Sequence, residues 1–236
     1  MPAVLADVAS AAIGKQHRSD PALPGTGGPA GNASLTAWLG LLLLVLFLAE
    51  LVTLLDVRGL ISWHVVLGTL LIPPALLKTA TTGWRIGRYY LGSPAYRQAG
   101  PPPLLLRLLG PGVVVSTLAL LGSGLLLILL GPQSSRIMLM SVIGQRVDTV
   151  TVHQGLFVIW GVLTGLHVLA RIIPALLLTV IRTAGSPAVA GVSRRVISLL
   201  LVLVLAAASA WVVLAASGAW HAESRVHFGA RAHDLY

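Results

Sequence analysis

His153 and His167 lie fourteen residues apart in one apolar stretch, Val150 to Val180, which reads VTVHQGLFVIWGVLTGLHVLARIIPALLLTV. At ~3.6 residues per turn this spacing is close to four turns, so both imidazoles fall on one helix face, about 21 Å apart along the axis. His64 and Lys78 repeat the same spacing in an earlier apolar stretch. Ionisable side chains are costly at membrane depth and face a bundle interior or a cavity, so groups in register at two levels suggest ligands for something buried. Haem iron is the leading candidate. Cysteine is absent, which removes disulfides, iron–sulfur clusters, thiolate zinc sites and covalently attached c-type haem together. A metal must then be held by His, carboxylate, Lys or Met.

The elements that would position these side chains are membrane spans. The chain has 236 residues, of which 56% are hydrophobic and only 10% charged, and its mean hydropathy is +0.89. An aqueous domain of this length does not need so much apolar surface. The expected architecture is an all-α polytopic bundle of about five spans, near Leu35–Leu55, Leu60–Thr81, Leu104–Leu130, Val150–Leu178 and Val196–Ser217, each at or above the ~20 residues that cross the hydrocarbon. Alternating-strand signals are missing, and backbone groups in lipid must be satisfied internally, which leaves helices. Residues 1–34, rich in Ala, Gly and Pro, read as a disordered cytoplasmic tail; 35–218 form the bundle, and 219–236 a short outer tail. The net charge of +9 is no nucleic-acid signature, because the basic residues cluster at the ends of apolar runs.

Loop charge sets the orientation. Arg85, Arg88, Arg97 and Arg107 follow the second span and Arg182, Arg194 and Arg195 follow the fourth, so those connections are expected in the cytoplasm. The amino terminus is then cytoplasmic and the carboxyl terminus outside, the parity that five spans give for a multi-pass protein of the cell membrane. The second and fourth spans run parallel, and His64 and His153 lie near their outer ends. Two imidazoles at matched depth are the arrangement a low-spin b-type haem requires, slotted between these helices. Gly68, one turn below His64, and Gly155, beside His153, would let a flat macrocycle approach the backbone.

The inner level pairs His167 with Lys78. The lysine is read first as snorkelling to headgroups or meeting a haem propionate, with ligation of iron as the alternative. Arg171, one turn below His167, either holds a propionate by a forked hydrogen-bond pair or marks the interface. Glu50 is the one carboxylate well inside an apolar span; it is either a hydrogen-bonded bundle group or a proton-relay or quinol-site acid. A non-haem metal at His64 and His153 would need Glu50 as a further ligand. Pro73 and Pro74 predict a kink in the second span. His221, His227 and His233 read as a tail and not a copper site.

The stretches WHVVLG and VHQGLFVIWGVLTGLHVLA, within Trp63 to Arg171, resemble bacterial di-haem b-type membrane cytochromes. That group includes the cytochrome subunits of hydrogenases and formate dehydrogenases and, more distantly, ferric-reductase transmembrane domains. The resemblance implies paired histidines about fourteen residues apart on two helices, holding two stacked haems. Three of the four positions match, at His64, His153 and His167, and the fourth is Lys78. One haem b at the outer level is therefore expected, with a second at the inner level left open.

No Gly-rich nucleotide-binding unit and no loop large enough to carry a flavin domain is present, so the chain cannot take electrons from a nicotinamide by itself. The expected function is electron transfer along or across the bilayer, from quinol or a partner subunit to an oxidoreductase partner. The chain would be a subunit and not a self-contained enzyme. The alternative is a non-redox membrane bundle, a small transporter, scaffold or assembly factor, with structural or proton-carrying histidines.

Overall fold

The computed structural model describes residues 20–101, 104–179 and 189–220, together with 9, 10, 12 and 222. Five of its helices are long and apolar enough to cross a bilayer: Gly28–Asp56, Ile61–Tyr90, Leu106–Ser135, Thr149–Thr179 and Val192–Ala216. The chain is an all-α, multi-pass membrane protein. In chain order the elements are α1 (Gly28–Thr53) with a 3-10 turn (Leu54–Asp56), α2 (Ile61–Leu70), α3 (Ile72–Tyr90), the short α4 (Pro94–Ala99), α5 (Leu104–Ser135), the strands β1 (Met140–Val142) and β2 (Gln145–Val147), α6 (Thr149–Thr179) and α7 (Val192–Ala216). Large apolar side chains face outward along the spans, among them Leu48, Leu76, Leu118, Leu169 and Leu201, as lipid contact demands. His221, His227 and His233 lie outside the described residues.

Three local features depart from hydropathy alone. First, α1 begins at Gly28, ahead of the span expected from Leu35. A tertiary hydrogen bond ties its polar start to a later helix, the Asn32 amide donating to the Thr81 carbonyl at 3.1 Å, and the Ser34 hydroxyl bonds back within the helix to the Ala30 carbonyl at 3.0 Å. Just ahead of it, the Arg85 guanidinium grips both carboxylate oxygens of Asp20. Second, the second span is interrupted at Leu71, which places Pro73 and Pro74 in the first turn of α3, where a missing N–H breaks no helical bond. Third, α5 is broken at Gly131, whose φ is +72°. The nearby Leu127 carbonyl accepts the Trp220 indole N–H at 3.0 Å. Beyond the break lies a hairpin that hydropathy does not anticipate, β1 pairing antiparallel with β2.

The chain divides into two compact units. One comprises Met1–Leu43, Pro74–Val115 and Gly161–Val202, and its core holds Leu39, Ala75, Leu106 and Ala170. The other comprises Leu44–Pro73, Ser116–Trp160 and Leu203–Tyr236, and its core holds Val65, Leu71, Trp160, Ala206 and Ala210. Lys78, His167 and Arg171 belong to the first unit, and His64 and His153 to the second.

Candidate functional site

In the second unit, His64 projects from α2 and His153 from the first turns of α6 into a cavity of about 290 Å³. Their ring centres are 6.4 Å apart and the ring planes are perpendicular, at 90°. The walls are chiefly apolar, with Phe47, Phe157 and Trp160 forming an aromatic cluster: the Trp160 ring lies 4.6 Å from Phe47 and 6.0 Å from Phe157. The Trp160 indole N–H is itself satisfied by Thr117 Oγ1 at 3.1 Å.

Each imidazole is held from behind. The Thr53 hydroxyl gives its one proton to the carbonyl of Glu50 at 2.6 Å, so towards His64 Nδ1, 3.0 Å away, its oxygen can only accept. Glu50 Oε1 lies 2.8 Å from the same nitrogen. Ser123 repeats the device: its hydroxyl donates to the carbonyl of Leu120 at 2.9 Å and lies 2.8 Å from His153 Nδ1. This arrangement favours the tautomer with the proton on Nδ1 and the lone pair on Nε2 in both rings. An orienting bond on one nitrogen that frees the other is what a metal-binding histidine needs.

Of the two glycines expected beside these rings, Gly68 lines the cavity, and a Cβ there would sit 3.5 Å from Glu50 Oε1. Gly155 is exposed, with nothing within 4 Å of where its Cβ would be. The glycine that makes room is instead Gly124, where a Cβ would lie 3.3 Å from His153 Cε1. Sequence reasoning missed Gly124, Ser123 and Thr53. Their signal was the GSG run at 122–124 and a hydroxyl three residues after Glu50, each able to bond back to its own helix.

In the first unit, Lys78 turns to the backbone of α1. Its ammonium donates to the carbonyl of Thr36 at 2.9 Å, in space left by Gly40, whose Cβ would stand 3.1 Å from Nζ. His167 shares its surroundings with the cationic Lys78 and Arg171. Its Nδ1 is buried with no hydrogen-bond partner among the described residues, as is Thr164 Oγ1. Arg171 is exposed. This level thus lacks the hydroxyl support that both rings of the other unit have.

Among the described residues no group of three or more His, Asp or Glu side chains gathers to hold a metal ion. Glu50 Oε1 contacts His64 Nδ1, and its Oε2 is buried with no hydrogen-bond partner among the described residues. No protein-family model, no curated protein and no solved structure matches the chain. Function has to be read from the site itself.

Proposed function

We propose that this chain is an integral-membrane b-type cytochrome that holds one haem b between His64 and His153. It would pass electrons along or across the bilayer, from quinol or a partner subunit to an oxidoreductase partner. The observation that carries this reading is the imidazole pair. An imidazole nitrogen binds a metal at about 2.0 Å, so the centres of two rings sharing one metal would stand at most about 6.3 Å apart. His64 and His153 stand at 6.4 Å, each with Nδ1 in contact with a hydroxyl oxygen. Two protein ligands alone make a poor site for a bare ion, whereas haem iron, already held by its porphyrin, would need only His64 and His153 from the protein.

When bound, haem supplies reversible one-electron exchange. The residues around it bind, orient and exclude water. His64 and His153 are the ligands; Thr53 and Ser123 fix their rotation. Glu50 places a carboxylate behind His64, which strengthens that imidazole as a donor. Phe47, Phe157 and Trp160 keep the wall apolar. Lys78 is bound to Thr36, and His167 Nδ1 has no orienting partner among the described residues, so one haem per chain is proposed.

The deciding experiment is a pyridine haemochrome assay and a reduced-minus-oxidised spectrum of the detergent-solubilised protein from haem-replete cells. One haem b per chain is expected, with the α-band lost in His64→Ala and in His153→Ala. Folded wild-type protein without an α-band would refute the reading. It would leave the non-redox bundle, in which the close Glu50–His64 contact would serve to carry protons.

A further inference from the structure

The thirteen residues between α5 and α6 contain the β1–β2 hairpin, closed by the two-residue turn Ile143–Gly144. Turns of this kind favour positive φ at both central positions, which Asn-Gly supplies with little strain. Here φ is +51° at Ile143 and +75° at Gly144, and Ile143 is the one non-glycine residue with positive φ among those described. A β-branched side chain tolerates that conformation poorly. Nothing within the described chain compensates, because Ile143 is 97% exposed. Backbone strain without internal compensation points to a role outside the chain.

The surroundings of Ile143 suggest what it meets. Ile137, Met138, Leu139, Met140 and Val142 are exposed as well. In the ladder Met140 faces Val147, Ser141 faces Arg146, and Val142 faces Gln145. With a period of two, Met140 and Val142 share one face while Ser141 and Arg146 share the other. No acidic residue occurs between Gly131 and Val147, whereas Arg136 and Arg146 are present.

We propose that this hairpin lies in the headgroup–acyl boundary of the bilayer that the five spans cross. Ile143, Met140 and Val142 then rest among the upper acyl chains, and Ser141 and Arg146 face phosphate and water. The hairpin is tied to a span at each end by a few residues, so it cannot leave the membrane surface. A two-stranded ribbon also has unpaired N–H and C=O groups along both edges. Hydrocarbon cannot satisfy these, but the hydrated interface can. The inference is independent of whether haem is bound.

Because the chain has no cysteine, one introduced thiol gives one label. Ile143→Cys, Val142→Cys and Ser141→Cys would each be coupled to an environment-sensitive fluorophore. The full-length proteins would be reconstituted in vesicles of phosphatidylcholine and phosphatidylglycerol, with iodide equilibrated across the membrane by freeze–thaw. Labels at 143 and 142 should be blue-shifted, quenched by lipids carrying a nitroxide high on the acyl chain, and lose quenching by iodide; the label at 141 should show the reverse. Iodide quenching at all three positions would overturn the proposal. So would protection of 143 and 142 from both quenchers, which would indicate a protein cover, and so would lipid quenching at all three, which would put the ribbon's edges in hydrocarbon. Should Ile143→Cys fail to fold, Val142→Cys against Ser141→Cys distinguishes the same outcomes.

Discussion

Ser123 Oγ lies 2.8 Å from His153 Nδ1 while its proton is spent on the carbonyl of Leu120. This orients the ring from behind through a neutral hydroxyl. Thr53 does the same for His64, with the Glu50 carboxylate added.

Removing these hydroxyls should loosen the ligands without deleting them. Outer partners of metal-binding histidines are worth about 10- to 100-fold in affinity. Ser123→Ala and Thr53→Val should each weaken haem binding by roughly that factor, and Thr53→Ser should retain it. Haem titration of the purified variants, with unchanged helical circular dichroism, checks this.

The two levels of ionisable residues should respond differently. His167→Ala and Lys78→Met should leave one haem per chain in the haemochrome assay, because neither side chain contributes to the His64–His153 pair. A fall in haem content in either variant, with the protein still folded, would show that the second pair contributes after all.

Gly124 and Gly155 should separate sharply. At Gly124 a new Cβ would meet His153 Cε1 at 3.3 Å, so Gly124→Val must push the ring, at an overpacking cost of about 1–3 kcal/mol. Gly155→Ala enters open space and should be neutral in both thermal stability and haem binding.

Glu50 bears on potential more than on occupancy. A carboxylate 2.8 Å from the back of His64 favours the oxidised, more positive state of a bound iron. Glu50→Gln should raise the midpoint potential by on the order of 60 mV, a tenfold shift in a one-electron equilibrium. An unchanged or lower potential in spectroelectrochemistry would count against this role.

Asp148 caps α6 outside the span. The Thr151 backbone N–H and hydroxyl both donate to its carboxylate at 2.8 Å and hold its pKa below the usual value. A lowered folded-state pKa means that the stabilisation is complete above the unfolded value, near pH ~3.9, and is lost as pH falls through the folded one. Asp148→Ala should therefore have a lower Tm than wild type at pH 6, with the gap closing below about pH 4. Asp148→Asn, which can still cap, should flatten the acid dependence.

The spans were legible because nothing but hydropathy is needed to place them: Val150–Leu178 was expected and Thr149–Thr179 is found. Matched depth on two spans likewise suffices to anticipate that His64 and His153 approach one another. What lies behind the rings was not legible. Thr53 and Ser123 look in sequence like ordinary polar residues in apolar helices, and only interhelical register brings their oxygens to Nδ1. The early start of α1 depends on the Asn32–Thr81 bond, again a tertiary fact. The hairpin escaped notice because three-residue strands are too short to show alternation.

A lysine whose ammonium is held by a backbone carbonyl no longer sets the depth at which its helix sits. With Lys78 bound to Thr36, that duty on α3 passes to Trp84, Arg88 and Tyr90. The Arg88 guanidinium lies 5.5 Å from the Trp84 ring, and Tyr90 stacks edge-on with Tyr89. A boundary set by these residues would lie about 9–18 Å further along α3 than one set by Lys78. A span bounded there would have a longer apolar length and suit a thicker bilayer; a thin one would have to be met by tilt or by local thickening of the lipid.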